Sequence, residues 1–193
     1  MIRLSFVLWA IMLVAWCAMR YPAMRRARRQ KTRLDKRTPL DISLLTLCAL
    51  GLAFMPIAWR AGLLGGLADR SHSPILVVAG VLTGAVFLWL FRRSHKDLGT
   101  NWSVTLEVRE GHRLVTQGVY AHVRHPMYAS FMLWGIAQAL LIPNWIAGFA
   151  GLVAVLALYC VRQSREEAMM RETFGAEYDA YCVRTKRLVP GVF

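Results

Sequence analysis

The chain has 193 residues, 56% of them hydrophobic and only 18% charged, with a mean hydropathy of +0.39. So apolar a composition excludes an ordinary water-exposed globule of this size. The 24 Lys and Arg against 11 Asp and Glu leave a net charge of +13, but these charges fall between long apolar runs, which points to a membrane before nucleic acid.

The first apolar stretch, Leu4 to Met19, predicts a transmembrane helix, and a basic segment containing Arg25, Arg26, Arg28, Arg29, Lys31 and Arg33 follows it. That segment has no interleaved aromatic residues, so topology and contact with anionic membrane lipids explain it and no nucleic-acid partner is expected. Leu40 to Trp59 is the second span; Pro56 near its end requires a neighbour to satisfy the carbonyl it frees. Ile75 to Phe91 is the third. Ser94 to Arg124 is polar, carries Gly99, Gly111 and Gly118, and reads as a long loop outside the hydrocarbon. Met127 to Ile142 and Trp145 to Val161 are separated by only Pro143-Asn144, which predicts a tight helical hairpin. Arg162 onward predicts an extension of the fifth helix towards Gly175 and then a second short helix. The fold class is therefore an all-α multi-pass membrane bundle of about five transmembrane helices. Residues 1–93 form its three-helix amino-terminal part with the basic loop, and residues 94–193 its catalytic region.

Residues 20–37, 92–124 and 162–193 hold 21 of the 24 Lys and Arg; only Arg3, Arg60 and Arg70 fall on the other side of the alternating spans. The positive-inside rule then predicts an amino terminus outside and a carboxyl terminus and active site in the cytosol. Cys17, Cys48, Cys160 and Cys182 show neither a Cys-x-x-Cys pair nor a nearby His at ligand spacing, so no metal is expected. The first three read as packing residues and Cys182 as a free thiol.

Ionisable residues are sparse in the spans, so chemistry is expected at the helix ends. One cluster is His112-Arg113-Leu114-Val115-Thr116 with Gly118-Val119-Tyr120, followed by Arg124-His125-Pro126-Met127-Tyr128. Proline in the first turn of a helix wastes no amide hydrogen, and His125 just before it can aim a ring nitrogen across the helix start. Tyr128, three residues on, shares that face. The second cluster, Arg162-Gln163-Ser164-Arg165-Glu166-Glu167, leaves the helix that the short hairpin makes a neighbour, so His125 and Glu166 should reach one level. A cation, a His, two tyrosines and an acid beside an apolar bundle suit a zwitterionic cofactor head and a lipid-like substrate. Dinucleotide-fold, phosphate-loop and zinc-peptidase signatures are all missing from the sequence.

With Leu98-Gly99-Thr100-Asn101-Trp102-Ser103 before them and Phe174-Gly175-Ala176-Glu177-Tyr178-Asp179-Ala180-Tyr181 after them, these ordered blocks resemble the isoprenylcysteine carboxyl methyltransferase family over residues 97–193. The resemblance implies a membrane S-adenosylmethionine-dependent methyltransferase without a Rossmann domain. Its product would be S-adenosylhomocysteine, and its acceptor a lipophilic molecule such as a prenylated cysteine carboxylate. It also implies that His112, Leu114, Val115, Tyr120, His125, Pro126, Met127, Tyr128 and Glu166 line the cofactor pocket and that Arg162 faces the acceptor carboxylate. The residue chemistry is compatible. Leu114 and Val115 can sandwich adenine, His125 with Tyr128 can bind the methionine carboxylate, and Glu166 can hold the ammonium or a ribose hydroxyl. One departure is Ala129-Ser130 after Tyr128, where relatives commonly place a glycine. Three alternatives stand beside this reading. The first is a phospholipid or small amine or thiol methyltransferase with a base such as Glu167. The second is an NADPH-dependent protein resembling sterol reductases, and the third a non-catalytic lipid-binding protein.

Overall fold

The protein is described by a computed structural model over residues 2–27, 32–36, 38–103, 107–109, 111 and 113–192. Six helices make up most of it: α1 (Ile2–Ala27), α2 (Pro39–Arg60), α3 (Pro74–Leu98), α4 (Pro126–Leu141), α5 (Trp145–Phe174) and α6 (Ala176–Arg184). Outside the helices, β1 (Thr32–Asp35) pairs antiparallel with β2 (Glu107–Arg109), joining the basic loop to the loop that follows α3. Helices α1, α2, α3 and α5 are each long and apolar enough to cross a membrane. The fourth of the five expected spans, α4, has 16 residues and rises about 24 Å, short of a hydrocarbon core of about 30 Å. It is the buried centre of the bundle, with Trp134, Ala137, Gln138 and Leu141 at 0–1% exposure. Outer faces carry Val14, Leu82 and Val153 at 63–67% exposure. Such surfaces are liabilities in water and ordinary against lipid tails.

Local chemistry sets the helix boundaries. Thr38 and Asp41 form a reciprocal capping box at the start of α2, with Pro39 in the first turn. Ser73 caps α3 and Asn144 caps α5, each accepting from the backbone amide three residues on. Within α2, Leu50–Phe54 widens into a π turn in which the Met55 amide donates to the Leu50 carbonyl. Continuing that pattern would require an amide at Pro56, so the Gly51 carbonyl loses its donor. Gln138 Nε2 supplies one at 2.8 Å, donates its second hydrogen to the Ala147 carbonyl at 2.8 Å, and Gln138 Oε1 accepts from Trp9 Nε1 at 3.4 Å. One fully buried amide thus ties α1, α2, α4 and α5 together. The expected partner for the carbonyl that Pro56 frees is this side chain.

The hairpin of α4 and α5 closes because Gly135 lets the backbones meet: a Cβ there would lie 2.6 Å from the Leu152 Cα. Its turn packs on the 61–73 loop, where Asn144 Nδ2 donates to the Leu67 carbonyl at 2.6 Å and Asp69 Oδ1 at 2.8 Å, and Arg70 donates to the Ala139 carbonyl. Arg60 lies over the Phe6 ring at the same end. Described members of the basic segments, Arg20, Arg113, Arg124 and Arg162, gather around one cavity at the opposite end. There Arg165 reaches across from α5 to the fully buried Asp41 at 3.0 Å and to the Lys36 carbonyl at 3.2 Å. Of the three helix cysteines read as packing residues, only Cys48 is buried. Cys17 and Cys160 sit on exposed helix faces, because their positions turn outward from the bundle axis.

Candidate functional site

At the basic end, α1, α2, α4, α5 and α6 enclose a cavity of about 370 Å³. Its floor includes Trp134, eight residues into α4 from Pro126, so it descends about 12 Å into the bundle. Nine of the ten residues expected from the sequence line it: Leu114, Val115, Tyr120, His125, Pro126, Met127, Tyr128, Arg162 and Glu166. The tenth, His112, lies outside the described residues.

The loop residues are placed by a glycine and an acid. Gly118 has φ +62°, and the Val119 amide donates to Asp97 Oδ2 at 2.9 Å, fixing the short 3-10 turn at Gly118–Ala121 against the end of α3. A Cβ on Gly118 would lie 2.0 Å from that same oxygen. Tyr120, the last of this cluster, is buried, and burial pushes its phenol well above the usual range. Its carbonyl accepts from the Tyr181 hydroxyl at 2.6 Å, so α6 clamps the turn from outside. Burial also raises the Tyr181 phenol, leaving it a neutral donor.

His125 and Glu166 do reach a common level, but through different partners. Tyr128 Oη donates to Glu166 Oε2 at 3.0 Å, presenting a carboxylate and a phenol to the cavity together. His125 instead faces Glu167: Nε2 lies 3.2 Å from Glu167 Oε1. Glu167 is 2% exposed and also accepts from Arg124 at 3.1 Å and from Arg187 at 3.2 Å, with Arg171 3.7 Å away. A carboxylate so surrounded is a structural hub and a poor proton acceptor. That removes Glu167 as the base an amine acceptor would need. Adjacent helical positions point about 100° apart, which is why neighbouring glutamates serve the cavity and its wall separately.

Several members of this site carry no motif. Arg187 lies beyond α6, in a segment whose carbonyls pair with the loop before α4: the Arg124 amide donates to the Lys186 carbonyl at 2.7 Å and the His125 amide to the Arg187 carbonyl at 2.9 Å. Arg124 also donates to the Cys182 and Thr185 carbonyls. From the amino-terminal half, Trp16, Arg20, Leu45, Cys48 and Leu52 form much of the deep wall, together with Phe131, Trp134, Val155 and Leu158. Hydropathy placed these residues on helices and could not say which of them face inward.

The model of the isoprenylcysteine carboxyl methyltransferase family matches residues 77–172. The chain belongs to that family. Protein-S-isoprenylcysteine O-methyltransferase B of Arabidopsis thaliana is 33% identical over 96 residues, 49% of each chain. The human protein-S-isoprenylcysteine O-methyltransferase is 34% identical over 117 residues, 60% of this chain and 41% of the human one. A solved structure of the eukaryotic intramembrane Ras methyltransferase, an isoprenylcysteine carboxyl methyltransferase, superposes with a TM-score of 0.58 at 24% identity, covering 77% of this chain and 52% of that one. The chain thus spans about half the length of relatives it matches. The family match takes in α3, α4 and most of α5, the helices that carry Tyr128, Arg162 and Glu166. It stops short of α6 and Arg187 and begins after α1 and α2.

Proposed function

We propose that this membrane protein transfers a methyl group from S-adenosylmethionine to the carboxylate of a lipid-tailed acceptor, a prenylated cysteine or a molecule like it. The observation that carries this reading is the continuity of one cavity from a rim of Glu166, Tyr128 and His125 to a pit walled by Leu52, Phe131 and Trp134. The rim fits the cofactor in chemistry. Leu114 and Val115 offer apolar contact to adenine, and the Glu166 carboxylate, oriented by Tyr128 at 3.0 Å, offers an acceptor to an ammonium or ribose hydroxyl. The cavity volume falls within the span usual for small-molecule sites.

When bound, S-adenosylmethionine supplies the methyl: a carboxylate oxygen forms the new C–O bond as the methyl–sulfur bond breaks, giving a methyl ester and S-adenosylhomocysteine. A carboxylate is ionised at neutral pH, so the protein needs no general base. Its work is positioning and partial removal of water. Arg162, 7% exposed and one turn deeper than Glu166, is placed to orient the acceptor carboxylate, while the apolar pit receives the tail. His125 is held by Glu167 at the rim rather than used as a base. The basic end, which contains the cavity, lies in the cytosol, and the first helix begins outside.

Calorimetry of S-adenosylhomocysteine binding to the detergent-purified protein tests this, with NADPH as a parallel ligand. Glu166→Ala is expected to weaken binding at least tenfold, the equivalent of about 1.4 kcal/mol. Binding unchanged in that variant removes Glu166 from the pocket. A folded wild-type protein that binds NADPH and not S-adenosylhomocysteine overturns the methyltransferase reading.

A further inference from the structure

A second cavity, of about 430 Å³, opens between the packed helices α1 and α3. Arg92, His95 and Lys96 line it from α3, at positions three and four apart that share one helix face, and Arg26 lines it from α1. Arg26 lies close enough for its charge to act on the His95 ring. None of the residues lining this cavity is acidic, and among the described residues Arg26, Arg92 and Lys96 have no carboxylate partner. The His95 ring stacks on Phe91 and on Trp102, which lines the large cavity, so the two cavities are neighbours across an aromatic wall.

His95 is the buried polar member, 7% exposed. Its Nδ1 lies 3.0 Å from the Phe91 carbonyl, which can only accept, so Nδ1 carries the ring hydrogen and Nε2 is left as an acceptor. Nε2 is buried and meets no donor among the described residues. An unmet buried acceptor is costly, and a cavity lined by cations offers no counter-charge for a second ring proton. The occupant that completes this cavity therefore brings negative charge for the cations and an uncharged donor for Nε2. The helix faces leading into it show what else the occupant carries. From Ala18 in the cavity wall, Val14, Ile11 and Val7 run down α1 at steps of four, three and four; from Arg92, Trp89, Leu82 and Val78 run down α3 on one face. These six apolar side chains are each more than half exposed, two stripes along which lipid tails can lie.

We propose that this cavity binds an anionic phospholipid whose headgroup carries a free hydroxyl. The phosphodiester pairs with Arg92, Lys96 and Arg26, the hydroxyl donates to His95 Nε2, and the acyl tails follow the two stripes. An ammonium headgroup could also donate to Nε2 but would bring a fourth positive charge among three cations. The assignment stands apart from the methyl-transfer reading and from the residues that carry it.

The test is native mass spectrometry of the full chain released from detergent with one added lipid, reading the apparent affinity of the first lipid bound. Phosphatidylglycerol is compared with phosphatidylmethanol, which has the same charge and no hydroxyl, and with phosphatidylcholine, all with the same tails. The wild-type protein is expected to hold phosphatidylglycerol about fivefold more tightly than phosphatidylmethanol, the worth of one neutral hydrogen bond, and at least tenfold more tightly than phosphatidylcholine. His95→Phe keeps a ring and should bring phosphatidylglycerol down to the level of phosphatidylmethanol, itself within about twofold of its wild-type value. Arg92→Gln with Lys96→Gln should weaken both anionic lipids at least tenfold. Arg184→Gln with Lys186→Gln removes the same charge from exposed positions outside the cavity and should leave both within about twofold. Equal affinity of the wild-type protein for the two anionic lipids overturns the proposal, and decides alone if His95→Phe does not fold. So do equal losses in the two double variants, which would mean general surface attraction, or displacement of phosphatidylglycerol by an equal concentration of glycerol 1-phosphate, which would make this a site for a soluble phosphate.

Discussion

Replacing Glu167 with Gln isolates the hub beneath the rim. The carboxylate is 2% exposed and accepts from Arg124, itself 9% exposed at the side chain, from His125 at 3.2 Å and from Arg187 at 3.2 Å. Gln keeps the shape and one acceptor oxygen but introduces an NH2 that faces donors, and it leaves the Arg124 guanidinium buried without its counter-charge. Breaking a buried pair from one side costs about 3–5 kcal/mol, and the retained oxygen and the carbonyls of Cys182 and Thr185 that also hold Arg124 place the expectation near the lower end, about 3 kcal/mol. Arg187→Gln removes a partner that is 39% exposed, so solvent screening limits its cost to about 1 kcal/mol. The assay is reversible unfolding in mixed dodecyl maltoside and SDS micelles, followed by tryptophan fluorescence, with S-adenosylhomocysteine affinity measured on the folded fraction. Cofactor affinity should fall only a few-fold in Glu167→Gln, because the residue supports His125 and does not line the cavity. A stability loss under about 1 kcal/mol, or a cofactor affinity abolished at unchanged stability, would refute the assignment of Glu167 as a structural hub.

Two further substitutions test the frame around the site. Gln138→Leu removes the donors to the Gly51 and Ala147 carbonyls and should cost about 1–3 kcal/mol in the same unfolding assay; a neutral result would mean that the π turn in α2 satisfies itself. Gly118→Ala puts a Cβ against Asp97 at a φ of +62°, displacing the turn that positions Leu114, Val115 and Tyr120, so S-adenosylhomocysteine affinity should drop at least tenfold while the helix content by circular dichroism is kept. Wild-type affinity in that variant would detach the turn from the cofactor pocket.

The helices were legible because membrane spans are written in long apolar runs; the caps Thr38, Ser73 and Asn144, whose side chains meet orphan amides, set their starts in the structure. The cavity rim was legible for a related reason. Its members sit a few positions apart at the start of α4 and the end of the apolar run of α5, and the two-residue hairpin turn makes those ends neighbours. What lay beyond reading was the inward orientation of α1 and α2. Trp16, Arg20, Cys48 and Leu52 belong to helices apolar on every side, where lipid and protein neighbours leave the same compositional trace. The role of Glu167 as a buried hub was equally hidden, since it depends on Arg187 arriving from beyond α6. The two-strand pairing of β1 with β2 joins segments about 75 positions apart and carries no alternation long enough to announce itself.

The pairing of the Lys186 and Arg187 carbonyls with the Arg124 and His125 amides sets an order of assembly. During synthesis α1 to α5 can enter the bilayer before residues 185–187 exist. The loop that leads into α4 must therefore wait, its backbone donors solvated, while the rest of the bundle consolidates beneath it. Maturation of the rim is thus uncoupled from insertion, and a nascent chain halted before Thr185 would be anchored in the membrane yet lack the clasp that gives His125 its bearing.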